Sequence, residues 1–281
     1  MSKSSEVERN VSIVIKTFER PHCVERLYHS IRHFYPQIPV IIADDSKTPL
    51  MVLGGAKILR LPYNSGLSFG RNRLLDAVNT KYFLLADDDF VFTDRTDLSV
   101  PFNILESTDF DIVGIELLYS GWKKRIYRGS YEKKGSVLFQ YQEKPLGHHA
   151  GYPVFHYVLN CFMARTKTIQ KSPWDEAIKI GHEHDDFFLR LKEKNVLITH
   201  TDQISIDHYH EMLGEYKKIR ENTASYKELF FTKHHLTDMK EIGRGFPYWQ
   251  RKLDSFLKFI KLQNIVNNMI RKHRLKGSGV L

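Results

Sequence analysis

Long apolar runs are absent from this 281-residue sequence, and cysteine is scarce. No stretch approaches the ~20 consecutive apolar residues that a membrane-spanning helix needs. The opening residues, MSKSSEVERN, contain no apolar core region, so they do not predict a signal peptide. Cys23 and Cys161 are far apart in hydrophobic contexts and fit neither a disulfide framework nor a metal spacing. We therefore expect two reduced thiols in a cytoplasmic protein.

Several signatures of nucleotide and metal sites are also missing. The sequence contains no Walker A pattern, no Gly-x-Gly-x-x-Gly and no His-Glu-x-x-His. These absences argue against P-loop enzymes, Rossmann dinucleotide-binding enzymes and zinc hydrolases of the His-Glu-x-x-His type.

The net charge of +9 is concentrated near the C-terminus. Residues 247–281 contain eight Lys and Arg against one acid, Asp254, which gives this segment +7 and leaves +2 for the rest. The body of the protein is nearly balanced, so the high net charge does not predict that the body binds polyanions. We expect no nucleic-acid partner, because apolar residues cluster with the basic ones in the tail and no groove-reading module is present. Gly and Pro at residues 243–247 predict a boundary between a domain over residues 1–245 and a tail over residues 246–281.

Buried strands alternate with helices in the first ninety residues. Apolar, β-branched runs typical of strands covered on both faces occur in NVSIVIKTF, IPVIIADDS and TKYFLLADDDFVF. Helical spacing occurs in CVERLYHSIRHFY and, after a Gly turn, in SGLSFGRNRLLDAV. This order predicts an α/β fold with a mostly parallel central sheet flanked by helices. Its ligands are expected at the carboxyl ends of the strands.

Three adjacent acids, Asp87, Asp88 and Asp89, follow one of these apolar strands directly. Adjacent carboxylates repel and are costly to bury without partners, so a cation or a set of donors is expected beside them. Asp-x-Asp suits a hard divalent cation, and on a strand Asp87 and Asp89 point the same way. The structural alternative is a solvated turn at the strand end.

The segment NSGLSFGRNRLL combines Gly66 and Gly70 with Arg71 in the opening turns of a helix. A helix start and an Arg together favour a diphosphate. The structural alternative is a plain Gly turn before an amphipathic helix.

These motifs together resemble a family 2-type glycosyltransferase of the GT-A fold. The similarity extends from VSIVIKTFERPHCVERLYHSIRHFYPQIPVIIADDS through GLSFGRNRLLDAVNTKYFLLADDDFVFT. It continues, in order, with NCFMART, HDDFFL and KELFFTKHHL over roughly residues 10–240. Within that class the sequence is similar to the ganglioside-type beta-1,4-N-acetylgalactosaminyltransferases.

The resemblance implies roles for the residues at the strand ends. It places Thr17, Phe18 and Glu19 beside the uracil, and Asp44 or Asp45 at the uridine. It implies that Arg71 faces the diphosphate, that Asp87 meets the ribose or a metal-bound water, and that Asp89 binds the metal. Asp88, which points the opposite way along the strand, would be left to hold a neighbouring loop.

A late histidine completes the metal shell in many GT-A enzymes, and His208 is the closest match to it. Imidazole beside carboxylates favours Mn²⁺ over Mg²⁺. A lone His at a strand end also has a structural interpretation. A zinc hydrolase built from His182, His184 and His208 is a rival hypothesis that leaves the three aspartates unexplained.

The catalytic base is expected in GHEHDDFFLRL, because an inverting transferase needs a carboxylate that takes a proton from the acceptor hydroxyl. Glu183, Asp185 and Asp186 all precede or open a helix, where acids also act as helix caps. Related enzymes read Glu-Asp-x-Asp here, so His184 stands where an Asp is often found. Asp186 is the first choice, since it matches the acid before Phe-Phe in the ganglioside-type enzymes.

The resemblance therefore implies a metal-dependent transferase that moves a sugar from a UDP-sugar to a glycan or glycolipid hydroxyl. GalNAc is the preferred sugar, followed by GlcNAc or Gal, and Mn²⁺ or Mg²⁺ is the cofactor. The alternatives are a catalytically silent GT-A scaffold that binds glycans, and a nucleotidyltransferase, which would release pyrophosphate.

The C-terminal tail leads to a prediction about location. Residues 247–276 mix aromatic and aliphatic residues with basic ones, as in amphipathic helices that lie on anionic bilayers. Each Lys or Arg near such a surface adds about 1 kcal/mol. We expect the full-length protein to float with anionic liposomes at low salt and to lose this property when residues 247–281 are deleted. A protein that stays at the bottom of the gradient would instead indicate a helix packed on the domain.

Overall fold

The computed structural model describes residues 3–51, 53–119, 123–125, 127–211 and 214–243. The predicted tail over residues 246–281 lies outside these ranges, so its helix, its membrane contact and the boundary at residue 245 stay predictions.

Eight helices and fourteen strands occur in the described ranges. The helices are α1 (Lys3–Asn10), α2 (Pro21–Phe34), α3 (Leu67–Ala77), α4 (Ser99–Ser107), α5 (Thr166–Gln170), α6 (Glu183–Glu193), α7 (Gly214–Glu221) and α8 (Ala224–Lys233). The strands are β1 (Val11–Thr17), β2 (Val40–Asp44), β3 (Ala56–Arg60), β4 (Tyr82–Asp87), β5 (Phe90–Val91), β6 (Ile112–Tyr119), β7 (Lys123–Arg125), β8 (Gly129–Lys134), β9 (Val137–Gln142), β10 (Gly147–His149), β11 (Tyr152–Val154), β12 (Phe162–Arg165), β13 (Ile198–His208) and β14 (Asp238–Ile242).

The first half of the large sheet is parallel, as the sequence pattern predicts. Its strands lie in the order β3-β2-β1-β4, and every residue of β1 is buried. The register pairs Thr17 with Asp44 and Lys16 with Asp87. Because parallel strands end at the same edge, these polar residues meet there.

The second half of the sheet is mixed, so the sheet as a whole is less parallel than the sequence pattern predicts. Strand β12 runs antiparallel between β4 and β6, and β13 runs parallel to β6. The short strand β5 pairs antiparallel with the end of β13, with Phe90 opposite His208. This last pairing brings a histidine from the far end of the domain next to the three aspartates.

Apolar side chains pack on both faces of the sheet. Alternate residues of β1 point to opposite faces: Ile13 and Ile15 pack with α2 and α4, while Val14 packs with α3, α5 and α6. The sheet is thus covered by helices on both sides, which explains the continuous apolar sequence of its strands. Among the described helices, none is both long enough and apolar enough to cross a membrane.

Two small sheets are built mainly from the chain between β7 and β12. The strands β8, β9 and β14 form one, and β10 and β11 form the other. Strand β14 follows α8 and pairs parallel with β9. The last described residues are therefore hydrogen-bonded to residues 137–141.

Candidate active site

The candidate site lies at the carboxyl ends of the strands, around the three aspartates. Asp87 ends β4, Asp88 and Asp89 form a turn, and Phe90 begins β5. The sequence LLADDDFVF is therefore a strand, a tight turn and a second strand. The turn points the adjacent carboxylates in different directions: Asp88 and Asp89 share Arg20, whereas Asp87 faces Arg71.

Asp88 is a structural residue of this turn. Its side chain is buried, accepts a hydrogen bond from Thr17 Oγ1 at 2.7 Å and forms an ion pair with Arg20. Burial raises the pKa of Asp88 to about 6, against the opposing effect of the Arg20 charge. The expectation that Asp88 holds a neighbouring segment fits this geometry.

Arg20 is the main cation of the turn, and it is not among the site residues predicted from the sequence. Its guanidinium pairs with Asp88 and donates to Asp89 Oδ2 at 2.9 Å and to the Glu211 carbonyl at 2.9 Å. The ring of Tyr216 in α7 lies 3.8 Å from the guanidinium carbon. A sequence signal existed, since an Arg immediately before the Pro that opens α2 lies at the end of β1.

Asp89 and two histidines form a cluster of potential metal ligands. His208 Nε2 lies 3.1 Å from Asp89 Oδ1, and His210 Nδ1 lies 4.0 Å from Asp89 Oδ2. Although burial acts to raise the pKa of Asp89, the hydrogen bond from His208 and the charge of Arg20 lower it. The carboxylate therefore stays ionised.

This cluster fits a divalent cation. One ligand atom from each of Asp89, His208 and His210 can lie within 4.8 Å of the others. His208 presents Nε2 to the Asp89 carboxylate, and an imidazole nitrogen next to a carboxylate oxygen is a ligand pair for such an ion. The preference for Mn²⁺ over Mg²⁺ at a carboxylate with imidazoles stays a prediction.

Asp87 is the most open acid of the turn, and it belongs to a chain of ion pairs. Its side chain is 33% exposed, and its Oδ1 lies 3.6 Å from Arg71 Nη2. Arg71 Nη1 lies 3.3 Å from Glu183 Oε1, so Arg71 joins the end of β4 to the start of α6. Because Arg71 is only 2% exposed, its contact with a diphosphate stays a prediction.

The start of α3 does not fit the predicted anion site. The backbone N–H groups of Leu67 and Ser68 point to the Lys179 carbonyl, at 3.0 and 3.5 Å. Since these donors already have a protein acceptor, a diphosphate cannot use them without displacing it. Gly70 has a packing role, because a Cβ there would overlap the buried side chain of Lys16.

The residues predicted to border the uridine lie together, but their carboxylates already have protein partners. Asp44 accepts from the backbone N–H groups of Ser46 and Leu50 at 3.0 and 2.6 Å. Asp45 pairs with Lys16 and accepts from the Gly66 N–H at 2.8 Å. Direct contact of either acid with a uridine would require an exchange of these bonds and stays a prediction.

Phe18 and Glu19 lie beside these acids at the end of β1. The Phe18 ring lies 5.7 Å from that of Tyr63, which is 52% exposed. Glu19 has a left-handed backbone with φ 55°, and its Oε1 accepts from the Lys47 N–H at 2.6 Å. An aromatic edge at the mouth of the site is a suitable surface for a planar base, although the roles predicted for both residues stay predictions.

The three acids at the start of α6 point in three directions. Glu183 faces Arg71, whereas Asp185 accepts hydrogen bonds from Tyr131 at 2.9 Å and Tyr127 at 3.2 Å. Asp186 is bound by basic groups of α6 and α8. Of the three, Glu183 is the one linked through an ion pair to the aspartate turn.

Asp186, the first choice for the base, has an environment that opposes this role. Its carboxylate is 1% exposed and contacts Lys233 Nζ at 2.7 Å, His234 Nε2 at 2.8 Å and Arg190 Nε at 2.8 Å. Burial acts to raise the pKa of Asp186, but the bonds from His234 and Lys233 and the Arg190 charge hold it well below its ordinary value. Such a carboxylate is a weak proton acceptor, so the geometry indicates a structural anchor.

The rival zinc site does not form in the described structure. His182 pairs with Asp185 and stacks on Phe230, and His184 Nδ1 lies 2.6 Å from Asn160 Oδ1. His208 lies with Asp89, so the three histidines have separate partners.

The chain belongs to glycosyl transferase family 2, whose model matches residues 12–171, more than half of the sequence. The curated relatives include the Mus musculus beta-1,4 N-acetylgalactosaminyltransferase 2, which is 36% identical over 184 residues, or 64% of this chain and 35% of that protein. The Homo sapiens beta-1,4 N-acetylgalactosaminyltransferase 1 is 32% identical over 253 residues, or 82% of this chain and 47% of that protein. The chain thus spans at most about half the length of these relatives.

Solved structures confirm the fold. A structure of S. aureus TarS 1–349 in complex with UDP matches 72% of this chain and 61% of that chain, with a TM-score of 0.52 and 14% identity. The crystal structure of S. aureus TarS matches 82% of this chain and 44% of that chain, with a TM-score of 0.54 and 13% identity. The GT-A fold and the family resemblance predicted from the sequence are both confirmed.

The environment of Asp186 leads to a stability prediction. We expect Asp186→Asn to lower the free energy of unfolding at pH 7 by about 2–4 kcal/mol, because three basic groups lose their buried anion. Since the folded-state pKa of Asp186 lies below its ordinary value of 3.8, its stabilisation is present above that value and is lost as the pH falls further. In urea unfolding experiments, the free energies of unfolding of Asp186→Asn and of the parent protein should therefore converge as the pH falls from about 5 to about 2.

Asp76→Asn is the matched control. Asp76 is 66% exposed, and its Oδ2 lies 3.4 Å from Arg73 Nη2 on the surface of α3. We expect its change in stability to stay within about 0.5 kcal/mol at every pH. An Asp186→Asn protein of unchanged stability that has lost turnover would contradict the structural role and favour Asp186 as the base.

Proposed function

We propose that this protein is an inverting, metal-dependent glycosyltransferase that moves a sugar from a UDP-sugar to a hydroxyl of a glycan or glycolipid. UDP-GalNAc is the first-choice donor, followed by UDP-GlcNAc and UDP-Gal. The observation that carries the proposal is the convergence of Asp87, Asp89 and His208 at the carboxyl ends of the strands in a family 2 transferase.

The similarity to named transferases supports the choice of donor. The relatives described above are N-acetylgalactosaminyltransferases by name, and a structural neighbour binds UDP. GalNAc is preferred because the sequence similarity to those relatives covers most of the described domain. The acceptor is proposed only as a class, because the sequence of residues 121–153 has no feature that selects one sugar.

The metal ligands are proposed to be Asp89, His208 and His210. A divalent ion held there would stabilise the negative charge that develops on the UDP leaving group. Arg20 holds Asp89 Oδ2 in position from the other side. Asp87, the most exposed acid of the turn, would meet the ribose or a water molecule near the ion while Arg71 stays beside it.

Glu183 is the proposed base. Its carboxylate neighbours Arg71, which contacts Asp87, so it lies on the site side of α6. Asp185 accepts hydrogen bonds from two tyrosines and pairs with His182, and Asp186 contacts three basic groups. In the reaction one Glu183 oxygen would accept the proton of the acceptor hydroxyl. The hydroxyl oxygen would then attack the sugar while UDP leaves from the opposite face.

The proposed setting is the cytosol or the cytoplasmic face of a membrane. It rests on the reduced-thiol composition and the basic tail, since a transferase that extends a lipid-linked glycan must reach a bilayer surface. In the described part of the chain both cysteines are free and buried, which fits a reducing compartment.

The activity test measures UDP release from UDP-GalNAc, UDP-GlcNAc and UDP-Gal with Mn²⁺. We expect Mn²⁺-dependent release that falls at least about 100-fold in Asp89→Asn, because the cluster loses its anionic ligand. Asp94→Asn is the matched control, since Asp94 is an exposed aspartate five residues further along the chain. Binding of glycans without turnover of any UDP-sugar would favour a silent scaffold, and release of pyrophosphate from a nucleoside triphosphate would favour a nucleotidyltransferase.

A second test concerns the base. We expect Glu183→Gln to lower kcat by about 10²–10⁴-fold with little change in the KM for the UDP-sugar, because proton transfer is lost while donor binding stays. Asp186→Asn is the comparison. Under conditions in which this variant is folded, we expect it to keep most of the parent kcat. The reverse ranking of the two variants would refute the assignment.

A further inference from the structure

A second cluster of ligand-type side chains lies beside the candidate metal site and has no role in the proposed reaction. His22 Nε2 lies 2.6 Å from Glu211 Oε1 and 3.4 Å from Cys23 Sγ. Cys23 Sγ lies 3.6 Å from Glu211 Oε2, which closes the triangle. One ligand atom from each residue can lie within 4.8 Å of the other two.

The cluster joins two parts of the chain that are distant in sequence. His22 and Cys23 lie in the first turn of α2, whereas Glu211 follows β13 by three residues. The same junction contains the Arg20 bond to the Glu211 carbonyl. The segment fixed at this point therefore includes His208 and His210, the proposed ligands of the catalytic metal.

We propose that His22, Cys23 and Glu211 form a second cation site, which binds a borderline-soft divalent ion such as Zn²⁺. A thiolate, an imidazole and a carboxylate are the ligand types that Zn²⁺ takes in proteins. Three protein ligands leave a fourth position for water, and the 58% exposure of the His22 side chain provides the path of entry. The proposal concerns these three residues alone and does not depend on the proposed transferase activity.

The free Cys23 thiol is unreactive, and a bound cation would have to displace its proton. Burial and the nearby Asp88 charge raise the pKa of Cys23 to about 12, so the free side chain is a neutral thiol. Coordination breaks the S–H bond, forms a sulfur–metal bond and releases the proton to solvent. The thiolate and the Glu211 carboxylate then balance the charge of the ion.

The two neighbouring sites are expected to select different ions. Mn²⁺ favours carboxylate and imidazole and gains little from a thiolate, whereas Zn²⁺ and Co²⁺ bind thiolate well. An ion in the second site would hold the segment after β13 against α2. It would thereby fix the positions of His208 and His210 around the first site.

The test uses Co²⁺ as a spectroscopic probe on the full-length protein, followed by displacement with Zn²⁺. We expect a thiolate-to-Co²⁺ charge-transfer absorption at one equivalent, which Zn²⁺ abolishes and which an excess of Mn²⁺ leaves in place. Cys23→Ser should remove the band, and His22→Ala or Glu211→Gln should weaken Co²⁺ binding at least about tenfold. His22 is exposed and Glu211 is half-buried, so these two variants keep the test valid if Cys23→Ser fails to fold.

Two control variants separate this site from the other features of the chain. Cys161→Ser removes the other buried thiol and should leave the band unchanged. Asp89→Asn removes the proposed catalytic metal ligand and should also leave it unchanged, even if the protein transfers no sugar. A protein without the band, or a band that survives in Cys23→Ser or disappears in Asp89→Asn, would overturn the proposal.

Discussion

The neutralisation of the two buried acids of the aspartate turn by one buried guanidinium is the constraint on which the site depends. Two adjacent carboxylates at the end of an apolar strand could not be buried without a cation beside them. Arg20 supplies this charge to Asp88 and Asp89, and Thr17 adds a hydrogen bond to Asp88. Burial nevertheless raises the pKa of Asp88, whereas the hydrogen bond from His208 and the Arg20 charge outweigh burial and lower the pKa of Asp89. Asp89 thus remains an ionised ligand next to His208, while Asp88 holds the turn to β1.

A second group of ion pairs fixes α6 relative to the sheet. Asp186 binds Arg190 of the same helix and both Lys233 and His234 at the end of α8. With the helix anchored on that side, Glu183 is presented to Arg71 on the other. The acids that open α6 are therefore more than helix caps, because each is directed at a different neighbour. This division of roles explains how one acidic run can contain both a structural anchor and a proposed base.

The fold was largely readable from the sequence, whereas the partners within the site were not. Continuous β-branched runs such as that of β1 predicted a sheet covered on both faces, and the structure confirms it. The antiparallel position of β12 was missed, because a short buried strand has the same pattern in either direction. The acids were found by their position after the strands. Arg20, Lys16 and the basic groups of α8 were missed, because nothing in an isolated Arg, Lys or His indicates which distant carboxylate it pairs with.

The sequence by itself determined the class of protein and the edge of the sheet at which chemistry can occur. Those properties follow from local patterns: apolar runs, the acids that end them, and motifs in a fixed order. Only the tertiary structure decided which acids remain open and which are used internally, because that depends on contacts across the chain. The pairing of β5 with the end of β13 places His208 beside Asp89, and the basic groups at the end of α8 bind the carboxylate of Asp186. Both results come from residues more than forty positions apart, which side-chain charge and packing bring together only after folding.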